Sequence, residues 1–169
     1  MKEIFERRSV RAFLNQPIEP EKIELLLKAA MAAPSAGNLR EWRLIAVTQR
    51  PLLEKLAKVS PYAGCAAKAP LAIVVLGDLS GVKHSEYWEQ DLGACTQNLL
   101  LEAQHLGLGA VWLGVAPLAE RMEAVTELFD LPKQVRPFAI IAVGYPAEVP
   151  APRERWEPEK AFYNGYQTR

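Results

Sequence analysis

Asp91-Leu92-Gly93-Ala94-Cys95-Thr96-Gln97-Asn98-Leu99-Leu100 continues through Leu101–Leu106 into Gly107-Leu108-Gly109-Ala110-Val111-Trp112-Leu113-Gly114. The order of signals in this stretch decides the fold. Trp88, Leu92, Cys95, Leu99, Ala103 and Leu106 recur at helical spacing, and Leu100 and Leu101 widen the stripe, so a helix runs from about Tyr87 to Leu106. A helix apolar over so much of its surface faces a core or a second subunit. Gly93 and Ala94 leave room for another helix to approach closely. Gly107 reads as the C-cap, and Ala110–Val115 follows as a strand. A dinucleotide-binding fingerprint needs the reverse order, with a strand before the glycines and a helix after them. Helix, glycines, strand excludes it.

Outward from this centre, helices and strands alternate. Upstream, Ile4, Phe5 and Arg8 suggest a short opening helix, followed by a β-compatible Ser9–Phe13. Ile23, Leu26, Leu27, Ala30 and Met31 give a helix over Glu21–Ala33, which Pro34 closes. Arg43–Thr48 reads as a strand, and Pro51 opens a helix over Leu52–Val59. Leu71–Leu76 is a continuous apolar run suited to a sheet covered on both faces. Downstream, Pro117 opens a helix to Phe129, and Phe138–Gly144 is a Val/Ile/Ala-rich strand. From Pro146 the chain changes character. Pro146, Pro150, Pro152 and Pro158 keep it extended, and Trp156, Phe162, Tyr163 and Tyr166 suggest that residues 146–169 lie on a second subunit. The whole chain, 1–169, reads as one domain.

The chain has 169 residues, half of them hydrophobic, and 20 basic residues balance 20 acidic ones. Zero net charge argues against a dedicated nucleic-acid binder. The apolar runs are far short of a membrane span, and residues 1–8 show no signal-peptide core. Two cysteines, Cys65 and Cys95, and two histidines, His84 and His105, are too scattered for a structural zinc site, so no metal is expected. A disulfide framework is equally unlikely to arise from them, and a reducing cytoplasm is the expected location.

The most unusual local feature is Arg7-Arg8-Ser9-Val10-Arg11. Guanidinium forks match phosphate oxygens, so three arginines and a hydroxyl converging on a loop could cradle a phosphate. Taken alone, the cluster is as readily a solvated helix end. Arg153 and Arg155 form a second basic pair that would meet the first if the tail folds back; taken alone, the pair reads as a solubility feature. Pro34-Ser35-Ala36-Gly37-Asn38 is a small-residue loop that would let backbone approach a flat ligand, or an ordinary helix exit. Ser35 lacks the G-x-S-x-G setting of a hydrolase nucleophile. Glu89 and Asp91 head the long helix, where complementing its dipole is the expected role. Cys95 reads as a buried small hydrophobe, and Cys65 has no assigned role.

Together these pieces resemble the FMN-dependent nitroreductase family over nearly the whole chain. The carriers are Arg7–Phe13, then Pro34–Asn38 with Trp42, then Asp91–Ala94 with Gln97–Leu100. They continue with Gly107–Gly114, and end with Gly144-Tyr145-Pro146 and Pro152-Arg153-Glu154-Arg155. The resemblance implies an α+β fold, with a central, mostly antiparallel sheet wrapped by helices, and an intertwined homodimer with FMN at the subunit interface. Arg7, Arg8 and Ser9 would hold the phosphate, helped by Arg153 and Arg155. Arg11 would reach the N1/O2 edge of the ring and tune it. Pro34, Ser35, Ala36 and Asn38 would come from the other subunit, and Leu113 and Gly114 would line the ring.

The implied activity is reduction of a nitroaromatic, quinone or similar acceptor by NAD(P)H, with donor and acceptor alternating at one site. Alternatives are a flavin-binding carrier or sensor without turnover, or a relative that reduces an activated alkene or a carbon–halogen bond. The chain is short for the family. The link Gly77–Glu86 is too brief for an extended lid, which implies an open pocket with Tyr87 and Trp88 as candidates to line it.

Overall fold

A computed structural model describes residues 2–151 and 153–166. Nine helices and strands carry the architecture: α1 (Glu3–Glu6), α2 (Pro20–Met31), β1 (Trp42–Val47), α3 (Arg50–Leu56), β2 (Leu71–Asp78), α4 (Trp88–His105), β3 (Gly109–Gly114), α5 (Ala119–Leu128) and β4 (Val135–Gly144). The strands form one sheet in the order β1-β2-β4-β3, and every neighbouring pair is antiparallel. This is the α+β arrangement expected from the family resemblance.

The apolar runs of β2 and β4 occupy the two central positions. Leu71–Gly77 and Pro137–Gly144 are buried throughout, since helices cover both faces there. On one face α4 and α2 pack over Ile73, Val75, Ala139 and Ile141. On the other, α3 and α5 close over Val74, Leu76, Ile140 and Ala142. Gly107, at φ 72°, turns the chain out of α4 into β3, a left-handed conformation that glycine adopts without strain.

Pro117 does not open a helix. It stands in the turn before Ala119, where α5 begins. The Leu118 amide closes that turn on the Val115 carbonyl at 3.1 Å, so the helical pattern starts two residues later than the proline suggests.

The two ends of the chain meet at the β3/β4 side. Ser9 bridges Ala110 in parallel, and Phe13 bridges Pro146 antiparallel. The Val10 amide donates to the Ala110 carbonyl at 3.0 Å, and the Ala147 amide to the Ala12 carbonyl at 2.9 Å. The start of the proline-rich tail therefore lies on the chain's own N-terminal segment. Gly109 permits this closeness, since a Cβ there would sit 2.7 Å from Val10. No helix among the described residues is long and apolar enough to cross a membrane.

Candidate active site

The N-terminal segment enters the site where α1 stops. Arg8 is 8% exposed, and its guanidinium is already committed to backbone. Its Nε donates to the Ala151 carbonyl at 3.2 Å, and its Nη1 to those of Phe5 and Arg7 at 2.8 and 2.7 Å. Only Nη2, buried and without a partner, is left to bind anything else. Arg8 is thus a fastener between the two ends of the chain as well as a charge.

Arg7 is half-buried, and its Nε also lacks a partner. Burial, then the nearby charges of Arg155 and Arg8, push its pKa below the ordinary arginine value. Three guanidiniums therefore share one neighbourhood. Among the described residues no carboxylate pairs with Arg7, Arg8 or Arg155. Ser9 offers an exposed hydroxyl beside them, and Arg153 is exposed on the returning tail. Pro152, which precedes Arg153 in sequence, lies outside the described residues.

Past Val10 the same segment reaches a cavity of about 390 Å³ lined by Arg11, Ser60, Tyr62, Trp112, Leu113, Gly114 and Arg121. Arg11, Leu113 and Gly114 were named from the sequence and stand together here. Ser60, Tyr62, Trp112 and Arg121 were not. Trp112 packs edge-on against Phe138 with centroids 5.5 Å apart, which fixes the indole as one wall. Arg121 Nη1 donates to the Gly114 carbonyl at 2.9 Å, and its guanidinium lies 5.9 Å from the Tyr62 ring centroid. An arginine in the first turn of a helix looks like a surface residue in sequence, and nothing marks it as reaching back to a strand end. Two cations and no carboxylate line the cavity. Burial raises the pKa of the half-buried Cys65 thiol, and the charge of Arg11 partly offsets that.

The 34–38 loop is built separately. Gly37, Asn38 and Arg40 have φ of 58°, 54° and 52°, a region open to glycine and tolerated by asparagine. Side chains hold this backbone. Ser35 Oγ accepts the Arg40 amide at 3.0 Å, and Asp91 Oδ2 accepts the Ala36 amide at 3.0 Å. Asp91 is therefore more than a complement to the helix dipole. It is 8% exposed and ties the first turn of α4 to the loop. Behind it lies Glu41, 3% exposed, which sequence reading passed over because an acid between Arg40 and Trp42 resembles a solvated strand start. Pro34, Ser35, Ala36 and Asn38 do not line the Arg11 cavity of their own chain.

Of the two readings open for Trp88, pocket wall or core, the core one holds. Trp88 is 7% exposed and packs edge-on against Phe138 at 6.0 Å, so it belongs to the core, whereas Tyr87 is 42% exposed. Cys95 is fully buried, as its place on the apolar stripe implied.

The family model of the nitroreductase family matches residues 4–63 and 60–145. A Methanothermobacter thermautotrophicus protein, provisionally named an NADH dehydrogenase/NAD(P)H nitroreductase, is 44% identical over 91% of this chain and 81% of its own length. A crystal structure from Clostridium acetobutylicum, provisionally called an NADH oxidase, superposes with a TM-score of 0.95 at 44% identity, covering 97% of this chain and 99% of the other. A Desulfovibrio desulfuricans protein, provisionally called a nitroreductase and solved in complex with FMN, superposes at 0.84 with 29% identity, over 98% and 96% of the two chains. With motifs, sheet order and these likenesses in agreement, the chain belongs to the nitroreductase family.

Proposed function

We propose that this protein is an FMN-dependent oxidoreductase that takes electrons from NADH or NADPH and delivers them to a nitroaromatic, a quinone or a similar acceptor, the two substrates using one site in turn. The observation that carries the reading is the uncompensated arginine cluster with its orphaned Arg7 Nε and Arg8 Nη2, continuous with a cationic cavity. Buried donors without partners are expensive, and an anionic group would satisfy them.

These residues fit FMN. Arg7, Arg8 through Nη2, Ser9 and Arg155 would hold the phosphate, with Arg153 beside them. Arg11 would face the electron-rich edge of the ring, and Leu113 and Gly114 would line it. When bound, FMN supplies two-electron transfer between donor and acceptor. The protein holds the cofactor, aims a fixed positive charge at the edge where negative charge accumulates on reduction, and leaves one side open to small molecules.

A second copy of the chain would complete the site with its own Pro34, Ser35, Ala36 and Asn38. Support comes from the exposed Phe5, Trp156, Tyr163 and Tyr166, and from a groove of about 510 Å³ lined by Glu3, Ala29, Ala32, Asn98, Leu101, Glu102 and His105. Two unpaired thiols suit a reducing cytoplasm.

The test is spectroscopic. Purified protein should carry or take up one FMN per chain, lose its yellow colour with NADH or NADPH in the absence of oxygen, and regain it with a nitroaromatic or quinone. A protein that binds FMN but stays yellow with both donors is a carrier. Failure to bind FMN at all refutes the reading.

A further inference from the structure

Glu41 is a buried carboxyl with no cation against it. Both of its carboxyl oxygens are inaccessible and make no well-formed hydrogen bond, although its own backbone amide is near enough to act on them. The titratable groups that act on it both come from α4: Asp91, whose carboxyl lies within hydrogen-bonding reach, and Cys95. No cation is among them. Two carboxylates this close and this buried cannot both ionise. Asp91 is the better home for the negative charge. It accepts the Ala36 amide at 3.0 Å and sits in the first turn of α4, where the helix field favours an anion. Glu41 lies outside that helix, and its own backbone amide is the one group that favours its charge.

We propose that Glu41 is protonated in the folded protein and donates to Asp91, so that one shared proton holds Asp91 on the Ala36 amide and thereby sets the shape of the 34–38 loop. Glu41 is a positioning residue, acting through Asp91 on the Ala36 amide, five residues before it in sequence. The direction of its pKa agrees: burial raises it above the ordinary glutamate value of 4.5, its own backbone amide opposes that rise, and the hydrogen bond to and charge of Asp91 add to it. The sign follows. Between pH 4.5 and the raised value the folded state binds more protons than the unfolded one, so this site's contribution to stability is full below pH 4.5 and is lost as pH rises through that window. The consequence for cofactor binding rests on the FMN reading, and the loop's shape does not.

The experiment uses two measurements on the same full-length protein without added ligand. Infrared spectroscopy over a pH series should show the C=O band of a protonated carboxyl persisting above pH 4.5, and Glu41→Gln should remove it. Hydrogen exchange of the Ala36 amide, corrected for the intrinsic pH dependence, should stay protected wherever that band persists. It should lose about tenfold protection where the band is titrated away, the scale of a hydrogen bond to a charged group. Glu41→Gln keeps a donor permanently and should hold protection level with pH. Glu41→Leu removes the donor and should lose protection at every pH.

Absence of the band in the wild-type protein overturns the proposal, as does protection that changes without it, and neither depends on a variant folding. FMN binding, followed in parallel, should weaken where protection is lost. A wild-type protein that takes no FMN fails the functional reading, while band and exchange still judge the carboxyl pair.

Discussion

Replacing Arg7 with alanine should act differently on the empty and the loaded protein. In the empty protein its guanidinium is partly desolvated and stands beside Arg155 and Arg8, each of which disfavours its charge. No carboxylate among the described residues offsets this. Deleting the group relieves that repulsion, so the melting temperature of the ligand-free protein should hold or rise. In the loaded protein, on the proposed phosphate role, the same deletion should remove a charge-assisted hydrogen bond, a loss of about 1.5–3 kcal/mol. At about 1.4 kcal/mol per factor of ten, FMN affinity should fall roughly 10- to 150-fold.

Riboflavin lacks the phosphate and should lose little, about threefold or less by the same conversion. Quenching of flavin fluorescence gives both dissociation constants, and repeating the titration at high salt should narrow the gap between the ligands as the charges are screened. Equal losses for FMN and riboflavin would refute the phosphate role. A ligand-free variant that melts well below the wild type would show that Arg7 is structural, and the cradle would then rest on Arg155 and Ser9.

Arg11→Gln should leave oxidised FMN bound but lower its two-electron potential. A lost preference of about 1.4 kcal/mol for the reduced form corresponds to roughly 30 mV, read against a reference dye, and an unchanged potential in a yellow variant removes Arg11 from that role. Gly144→Ala would place a Cβ 2.7 Å from Pro70 Cδ, a rigid ring just before β2, and 2.9 Å from Phe13 Cδ1, which is held by its bridge to Pro146. It should destabilise by about 1–3 kcal/mol in chemical denaturation, and a change under about 0.5 kcal/mol would mean the two ends separate freely. Burial pushes the Cys95 thiol up to about 12. At pH 8 only about one part in ten thousand is thiolate. Alkylation of the folded protein should therefore label Cys65 alone, with Cys95 reacting only after unfolding.

Periodicity carried the helices and strands because burial follows it closely in this fold. Leu71–Leu76 and Phe138–Val143 read as unbroken apolar runs, and they lie in the two central strands, covered on both faces. Arg11, Leu113 and Gly114 could be named from local motifs because a sheet edge and one extended segment bring them together. Residues whose role depends on a distant partner were hidden. Arg8 looked like a free charge, yet it is spent largely on carbonyls, one of them 143 positions away. Asp91 looked like a helix-dipole residue because its bond to Ala36 spans 55 positions. Glu41 carried no signal, since its burial comes from α4 and nothing beside it in sequence is apolar except Trp42. Arg121 and Tyr62 meet only because α5 and the segment after α3 converge on β3.

The junction of the two chain ends has a temporal meaning. Arg8 is fastened by the Ala151 carbonyl, and Arg7 feels the charge of Arg155, so the basic end of the site needs residues from both extremes of the sequence. During synthesis the arginines near the N-terminus leave the ribosome first and wait for nearly the whole chain before their surroundings exist. A chain cut before residue 151 still contains every strand of the sheet but lacks the carbonyl that grips Arg8. The order in which the segments are made therefore leaves the basic cluster unassembled until residues 151–155 have followed the sheet.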